Sequence, residues 1–206
     1  MNFEFFDEYK LIINTIIMAN KNIINFIFEM KQLSRIKHEG WRMIGIEDPE
    51  SVADHSLRSA QIGFILAKLE EYENPCEVCS MIVFHDMAES RIGDVHRVAN
   101  RYIEVEEEKV VEEQTRKLDE IGEEIFEMWK QAENRSTAAG IIARDANWLD
   151  MAFTAKAYME IGYKYAKDWM NNIEKSLKTK SAKELFNELK RSDSNEWWQK
   201  LKKMKK

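Results

Sequence analysis

Apolar positions recur along the chain every three to four residues, the spacing of helix faces rather than the alternation of half-buried strands. Over 52–71, Leu57, Ala60, Phe64 and Ala67 fall at helical intervals behind Asp48-Pro49-Glu50-Ser51, a natural helix start. Asn74-Pro75-Cys76-Glu77 offers an N-cap, a proline at the first helical position and a glutamate three residues after the cap, so a helix is predicted over 75–92. Its stretch 78–84 is apolar nearly all round, as in a buried central helix, and Gly93 is a natural stop. Upstream, 3–20 and 22–33 are predicted as two amphipathic helices. Downstream, 104–129 is a charged helix with Val105, Val111, Leu118, Ile121, Ile125 and Trp129 on its apolar positions and Gly122 as an interruption. Ser136 or Thr137 caps a long helix over 138–168. A short helix over 181–190 and a basic tail over 195–206 complete the chain. No βαβ alternation occurs, so the expected class is all-α. The expected division is N-terminal helices (1–34), a core (35–168) and a C-terminal helix with its tail (169–206).

Composition agrees with helices. Only 7 Gly and 2 Pro occur in 206 residues, too few for the corners of a sandwich or barrel. The balance of 31 basic against 37 acidic residues gives a net charge of −6, which argues against a general nucleic-acid binder. The 2 Cys make no disulfide framework and suit a reducing cytosol. Glu4, Asp7, Glu8 and Lys10 break up the apolar N-terminus, and the run 11–20 falls short of the roughly 20 apolar residues that span a bilayer. A cytoplasmic protein with no membrane partner and no stable nucleic-acid partner is expected. Cys76-x-x-Cys79 lacks the βαβ context of a redox motif, and Trp197-Trp198 with the terminal lysines reads as a packing and solubilising tail.

The chemistry concentrates in few residues. Of 4 His, three (His38, His55 and His85) lie in or just before apolar helical segments. His85-Asp86 on an apolar helix is costly to bury unless something compensates it. Glu89, three and four residues on, shares that helical face. His55, preceded by Asp54, lies on the previous helix, and two antiparallel helices bring His55 and His85 together. Imidazoles with carboxylates form a nitrogen–oxygen site for a divalent cation: Mn, Co, Ni, Fe, Zn or Mg.

The strings Gly40-Trp41, Pro49-Glu50-Ser51-Val52-Ala53-Asp54-His55-Ser56, His85-Asp86-Met87-Ala88-Glu89 and Gly93-Asp94-Val95 resemble the 5′-deoxynucleotidase branch of the HD-domain metal-dependent phosphohydrolases. The resemblance implies an HD-domain helical bundle, a single domain with short peripheral helices at the C-terminus. It further implies a homodimer that hydrolyses deoxynucleoside 5′-monophosphates with a divalent metal ion. By the same resemblance His55, His85 and Asp86 match metal ligands, Glu89 and Asp94 match catalytic acidic residues, and Trp41 matches a tryptophan beside the substrate. The fourth metal position, an Asp in the family, is Asn147 here, within Asp145-Ala146-Asn147-Trp148-Leu149-Asp150-Met151. An amide carbonyl can coordinate a hard cation but adds no charge, and Asp145 is the substitute candidate. Where the family often has arginine before Gly-Trp, this chain has His38. The phosphate-binding candidates are therefore Arg35, Lys37, Arg42, His96 and Arg97, with Trp41, Arg42, His96 and Arg97 as the expected substrate-binding set. A triphosphohydrolase, a phosphodiesterase and a catalytically silent binding module remain open as other readings of the same residues.

Overall fold

The computed structural model describes residues 3–202, and among these it holds ten α-helices and no strand beyond an isolated bridge between Lys37 and Ser51. The all-α expectation holds; several helix boundaries do not. α1 (Phe3–Met30) is one continuous helix followed by a 3₁₀ turn, Lys31–Ser34, where two helices are predicted. Asn20-Lys21-Asn22 contains no glycine or proline to break it. Asn22 does not cap a new helix; its side-chain amide donates to the Lys117 carbonyl at 3.2 Å.

α2 (Val52–Leu69) starts at a full capping box, in which Ser51 Oγ accepts from the Asp54 amide and the Asp54 carboxylate accepts from the Ser51 amide. Such a cap contributes about 0.5–2 kcal/mol. α3 (Pro75–Phe84) starts at Asn74 as predicted but stops at Phe84, and α4 (Glu89–Ile92) follows a tight turn. The segment 75–92 is thus two helices. His85 contributes to the break: its Nδ1–H donates to the Ile82 carbonyl at 2.6 Å, and Met87 and Ala88 turn inward to full burial. The break places His85 and Asp86 at a helix end, where both can face the same space.

α5 (Glu107–Thr115) and α6 (Asp119–Asn134) replace the single helix predicted over 104–129, and the break falls at 116–118 rather than at Gly122. Gly122 lies inside α6 at a close approach to the preceding helix, where a Cβ would stand 2.1 Å from the Thr115 carbonyl oxygen. α7 (Ala138–Glu160), capped by Thr137, ends before Gly162, whose φ of +109° only glycine adopts without strain. α8 (Lys167–Ser176) and α9 (Lys180–Arg191) follow, then α10 (Glu196–Gln199). Lys203, Lys205 and Lys206 of the basic tail lie outside the described residues.

α2 packs against α3 and α7, and α6, α8 and α9 cover the rest of α7. Trp41, Leu66, Ile82, Leu149, Ile173 and Phe186 belong to one buried cluster. Full burial of each such side chain contributes about 1.5–3 kcal/mol. The expected division at 168/169 runs through this cluster, since Leu149, Ile173 and Phe186 come from α7, α8 and α9. A second cluster, with Phe26, Met87, Val111, Ile125 and Trp129, holds α1, α5 and α6 against the turn after α3. There the Trp129 indole donates to the His85 carbonyl at 3.0 Å.

Candidate metal centre and its cleft

His55 stands in the first turn of α2, His85 and Asp86 follow the end of α3, and Asn147 lies midway along α7; the central packing brings the first three together and sets Asn147 on the wall of the same cleft. His55 is buried, and its Nδ1–H donates to Asp150 Oδ2 at 2.6 Å. Its Nε2 faces Asp86 Oδ2 at 3.7 Å, with Ser59 Oγ at 3.5 Å as its one hydrogen-bond contact among the described residues. His85 repeats the arrangement: Nδ1 is committed to the Ile82 carbonyl, and Nε2 lies 2.8 Å from Asp86 Oδ2. This last pair lacks hydrogen-bond alignment, and His85 Nε2 is a buried nitrogen without a partner. Each imidazole is therefore oriented through one nitrogen and presents the other to the same carboxylate, as metal-ligating histidines do.

One donor from each of His55, His85 and Asp86 lies within 4.8 Å of the others. Metal bonds of about 2.0–2.2 Å hold neighbouring donors roughly 3–4 Å apart, so small shifts close this set on a cation. Burial pushes the Asp86 carboxyl up, but His85, His55 and His38 together hold it well below the usual carboxylate range. Burial lowers the His55 imidazole, keeping it in the neutral form that a metal takes. Asn147, also buried, lines the same cleft. The residues present fit a divalent cation.

A second group, His38, Glu50 and His55, also offers donors within 4.8 Å. Arg58 decides against it. Its NH2 pairs with the Glu50 carboxylate and its Nε donates to Asp150 Oδ1 at 2.8 Å. A permanent positive charge already serves these carboxylates, and a cation beside it would be repelled.

The cleft measures about 530 Å³. Glu89 lines it, with Oε2 buried and unpartnered. Burial, reinforced by Asp86, Asp94 and Glu107, pushes this carboxyl up to about 10, so it keeps its proton at neutral pH. Asp94 lines the same space and accepts from the Glu39 amide at 2.6 Å; burial raises it while His38 opposes. Trp41, 1% exposed, stacks on Trp169 at 4.7 Å and meets Tyr158 edge-on.

Among the expected substrate residues, Trp41, His96 and Arg97 line the cleft and Arg42 does not. Arg42 is turned to Glu39 at 2.9 Å and to the Glu47 carbonyl at 2.7 Å. Arg35 and Lys37 are likewise engaged elsewhere, with Gln32 and Asp48. Asp145 is not the substitute ligand. Fully buried, it accepts from the Lys178 and Thr179 amides and from Thr179 Oγ1, tying α7 to the start of α9.

Sequence reasoning did not place His38 in the site. Its ring lies 4.6 Å from that of His55 and lines the cleft, with Nδ1 at 3.4 Å from Glu50 Oε1, an ion-pair distance without hydrogen-bond alignment. Burial lowers this imidazole, but Glu50, Asp86 and Asp94 more than offset that and raise it. The available signal was its position before Gly-Trp, where the family has arginine. Trp148 and Trp169 also line the cleft, and no motif marks them.

The 5′-deoxynucleotidase HDDC2 of Dictyostelium discoideum is 28% identical over 147 residues, covering 66% of this chain and 77% of that protein. The human protein of the same name is 26% identical over 148 residues, covering 70% and 72%. A conserved hypothetical protein from Pyrococcus furiosus superposes with a TM-score of 0.68 at 27% identity, over 82% of this chain and 99% of that one. The model of the HD domain matches residues 30–190, well over half of the sequence, and the chain belongs to the HD-domain family.

Proposed function

We propose that the chain is a metal-dependent phosphomonoesterase that releases phosphate from deoxynucleoside 5′-monophosphates. The observation that carries the reading is the pair of buried imidazoles turned on Asp86, beside a carboxyl, Glu89, that holds a proton at neutral pH. The names of the HDDC2 relatives support the substrate class. His55, His85, Asp86 and Asn147 would hold a divalent cation, which would supply Lewis acidity toward a phosphoryl oxygen. His38, raised toward its charged form, offers a hydrogen-bond donor to another phosphate oxygen. Glu89 donates its proton to the leaving 5′-oxygen. Asp94, fixed by the Glu39 amide, accepts from a sugar hydroxyl or from the attacking water. The Trp41 wall supports the apolar side of the nucleoside and excludes water there. A homodimer and a cytoplasmic location belong to the same reading, and exposed Leu57, Phe64 and Ile65 on α2 support an apolar contact surface.

The test is phosphate release from a panel of nucleoside mono-, di- and triphosphates with Mn²⁺, Co²⁺ or Mg²⁺. Monophosphates should turn over, and Glu89→Gln should cost about 10²–10⁴-fold in kcat while metal affinity is kept. Pyrophosphate or triphosphate as the product would assign the site to triphosphates. A metal-loaded protein inert on every nucleotide would leave the silent binding module, with the uncharged Asn147 as its cause.

A further inference from the structure

From His55 and His38 at the cleft, five side chains form a continuous chain of contacts that runs back through Asp150, Arg58 and Glu50. His55 Nδ1–H donates to Asp150 Oδ2 at 2.6 Å. Arg58 grips that same carboxylate with two bonds, Nε to Oδ1 at 2.8 Å and NH2 to Oδ2 at 3.0 Å. The same NH2 pairs with the Glu50 carboxylate, and Glu50 Oε1 lies 3.4 Å from His38 Nδ1. Asp150 is 0% exposed and His55 1%, so neither can trade these partners for water. Arg58 is 40% exposed and spans from α2 to α7 and to the loop before α2, three separate segments of the fold. A buried carboxylate facing an imidazole has two lone-pair directions to choose from, and a bidentate guanidinium removes that choice.

We infer that Arg58 is a positioning residue that aims two imidazoles at the cleft, His55 through Asp150 and His38 through Glu50. Arg58 touches neither cation nor substrate. It fixes the Asp150 carboxylate so that His55 keeps its proton on Nδ1 and its lone pair on Nε2, facing Asp86. By the second branch it fixes Glu50, and with it the ring of His38 beside the place where a phosphate binds. The arrangement rests on the phosphomonoesterase reading for its purpose, but the ring orientation itself is a property of the protein without metal.

Long-range ¹H–¹⁵N spectra of the metal-free protein read the histidine tautomers directly. The parent should show His55 as a single Nδ1–H form. Arg58→Lys keeps the charge but cannot span two carboxylates, and it should give mixed or exchanging His55 nitrogens with the helical circular dichroism unchanged. Arg58→Met removes the charge as well and should do the same; should it fail to fold, Arg58→Lys carries the test. In chelator competition with Co²⁺, loss of this outer support should weaken binding about 10–100-fold and alter the d–d absorption bands. Glu50→Gln should leave the His55 tautomer and the Co²⁺ spectrum unchanged while raising the KM of the phosphomonoester with kcat less affected. A His55 tautomer and Co²⁺ affinity in Arg58→Lys equal to the parent's would overturn the inference. A parent protein that shows the fixed tautomer yet binds no cation would instead overturn the metal reading and leave the positioning intact.

Discussion

At the scale of single residues, the site is a competition between burial and charge. A metal takes imidazole in its neutral form, so on the proposed reading His55, His85, Asp86 and Asn147 would offer the cation a donor set with a single negative charge. Asn147→Asp adds a second. With metal bound, a carboxylate attracts the cation where an amide oxygen offers only a dipole, and affinity should rise by at least about tenfold, or roughly 1.4 kcal/mol. Without metal the sign reverses, because a buried carboxylate then faces Asp86 with nothing between them. The variant should therefore melt below the parent in chelator and above it with metal; an unchanged affinity would place position 147 outside the donor set. The candidate donors were legible because His55 and His85-Asp86 stand out as histidines and a carboxylate in two adjoining apolar segments. Arg58 and Asp150 were not, since their roles depend on which side chains meet across α2 and α7. Arg42 misled for the matching reason: adjacency to Trp41 in sequence says nothing about the side to which its guanidinium turns.

At the scale of elements, helix starts were easier to read than helix ends. Ser51, Asn74 and Thr137 announce themselves by a side-chain oxygen that satisfies an open amide, a local bond visible in sequence. The stops after Phe84 and Thr115 answer to tertiary packing, the first to the inward turn of Met87 and Ala88, the second to the folding of α6 back on α5. Gly122 shows the difference well. In sequence it reads as a helix breaker, whereas in the fold it is the point of α6 that passes against the Thr115 carbonyl. A methyl group there collides with backbone rather than with a flexible side chain, so the helices must part. Gly122→Ala should raise helix propensity by about 1 kcal/mol yet lose about 1–3 kcal/mol to overpacking, for a net fall in the urea midpoint. A stabilised variant would show that α5 and α6 yield at this contact.

At the scale of the whole molecule, the donors tie together parts of the chain that are distant in sequence. His55 belongs to α2, His85 and Asp86 to the turn after α3, and Asn147 to α7, and these helices make up the packed centre. A cation that binds all of them has nothing comparable to bind once the chain unfolds, so its binding energy appears as folding stability. At a free concentration one hundred times Kd, this amounts to about 2.7 kcal/mol. For chains of 150–250 residues, 1 kcal/mol moves Tm by about 2–4 °C, which predicts a rise of roughly 5–11 °C on adding saturating metal to chelated protein. The ten helices of the described residues give circular dichroism a strong signal with which to follow the melt. His85→Ala removes one imidazole and should abolish the metal-dependent rise, while the Tm in chelator changes only by the packing lost. A parent protein whose Tm ignores Mn²⁺, Co²⁺, Ni²⁺ and Zn²⁺ alike would mean that His55, His85 and Asp86 face one another for structural reasons alone.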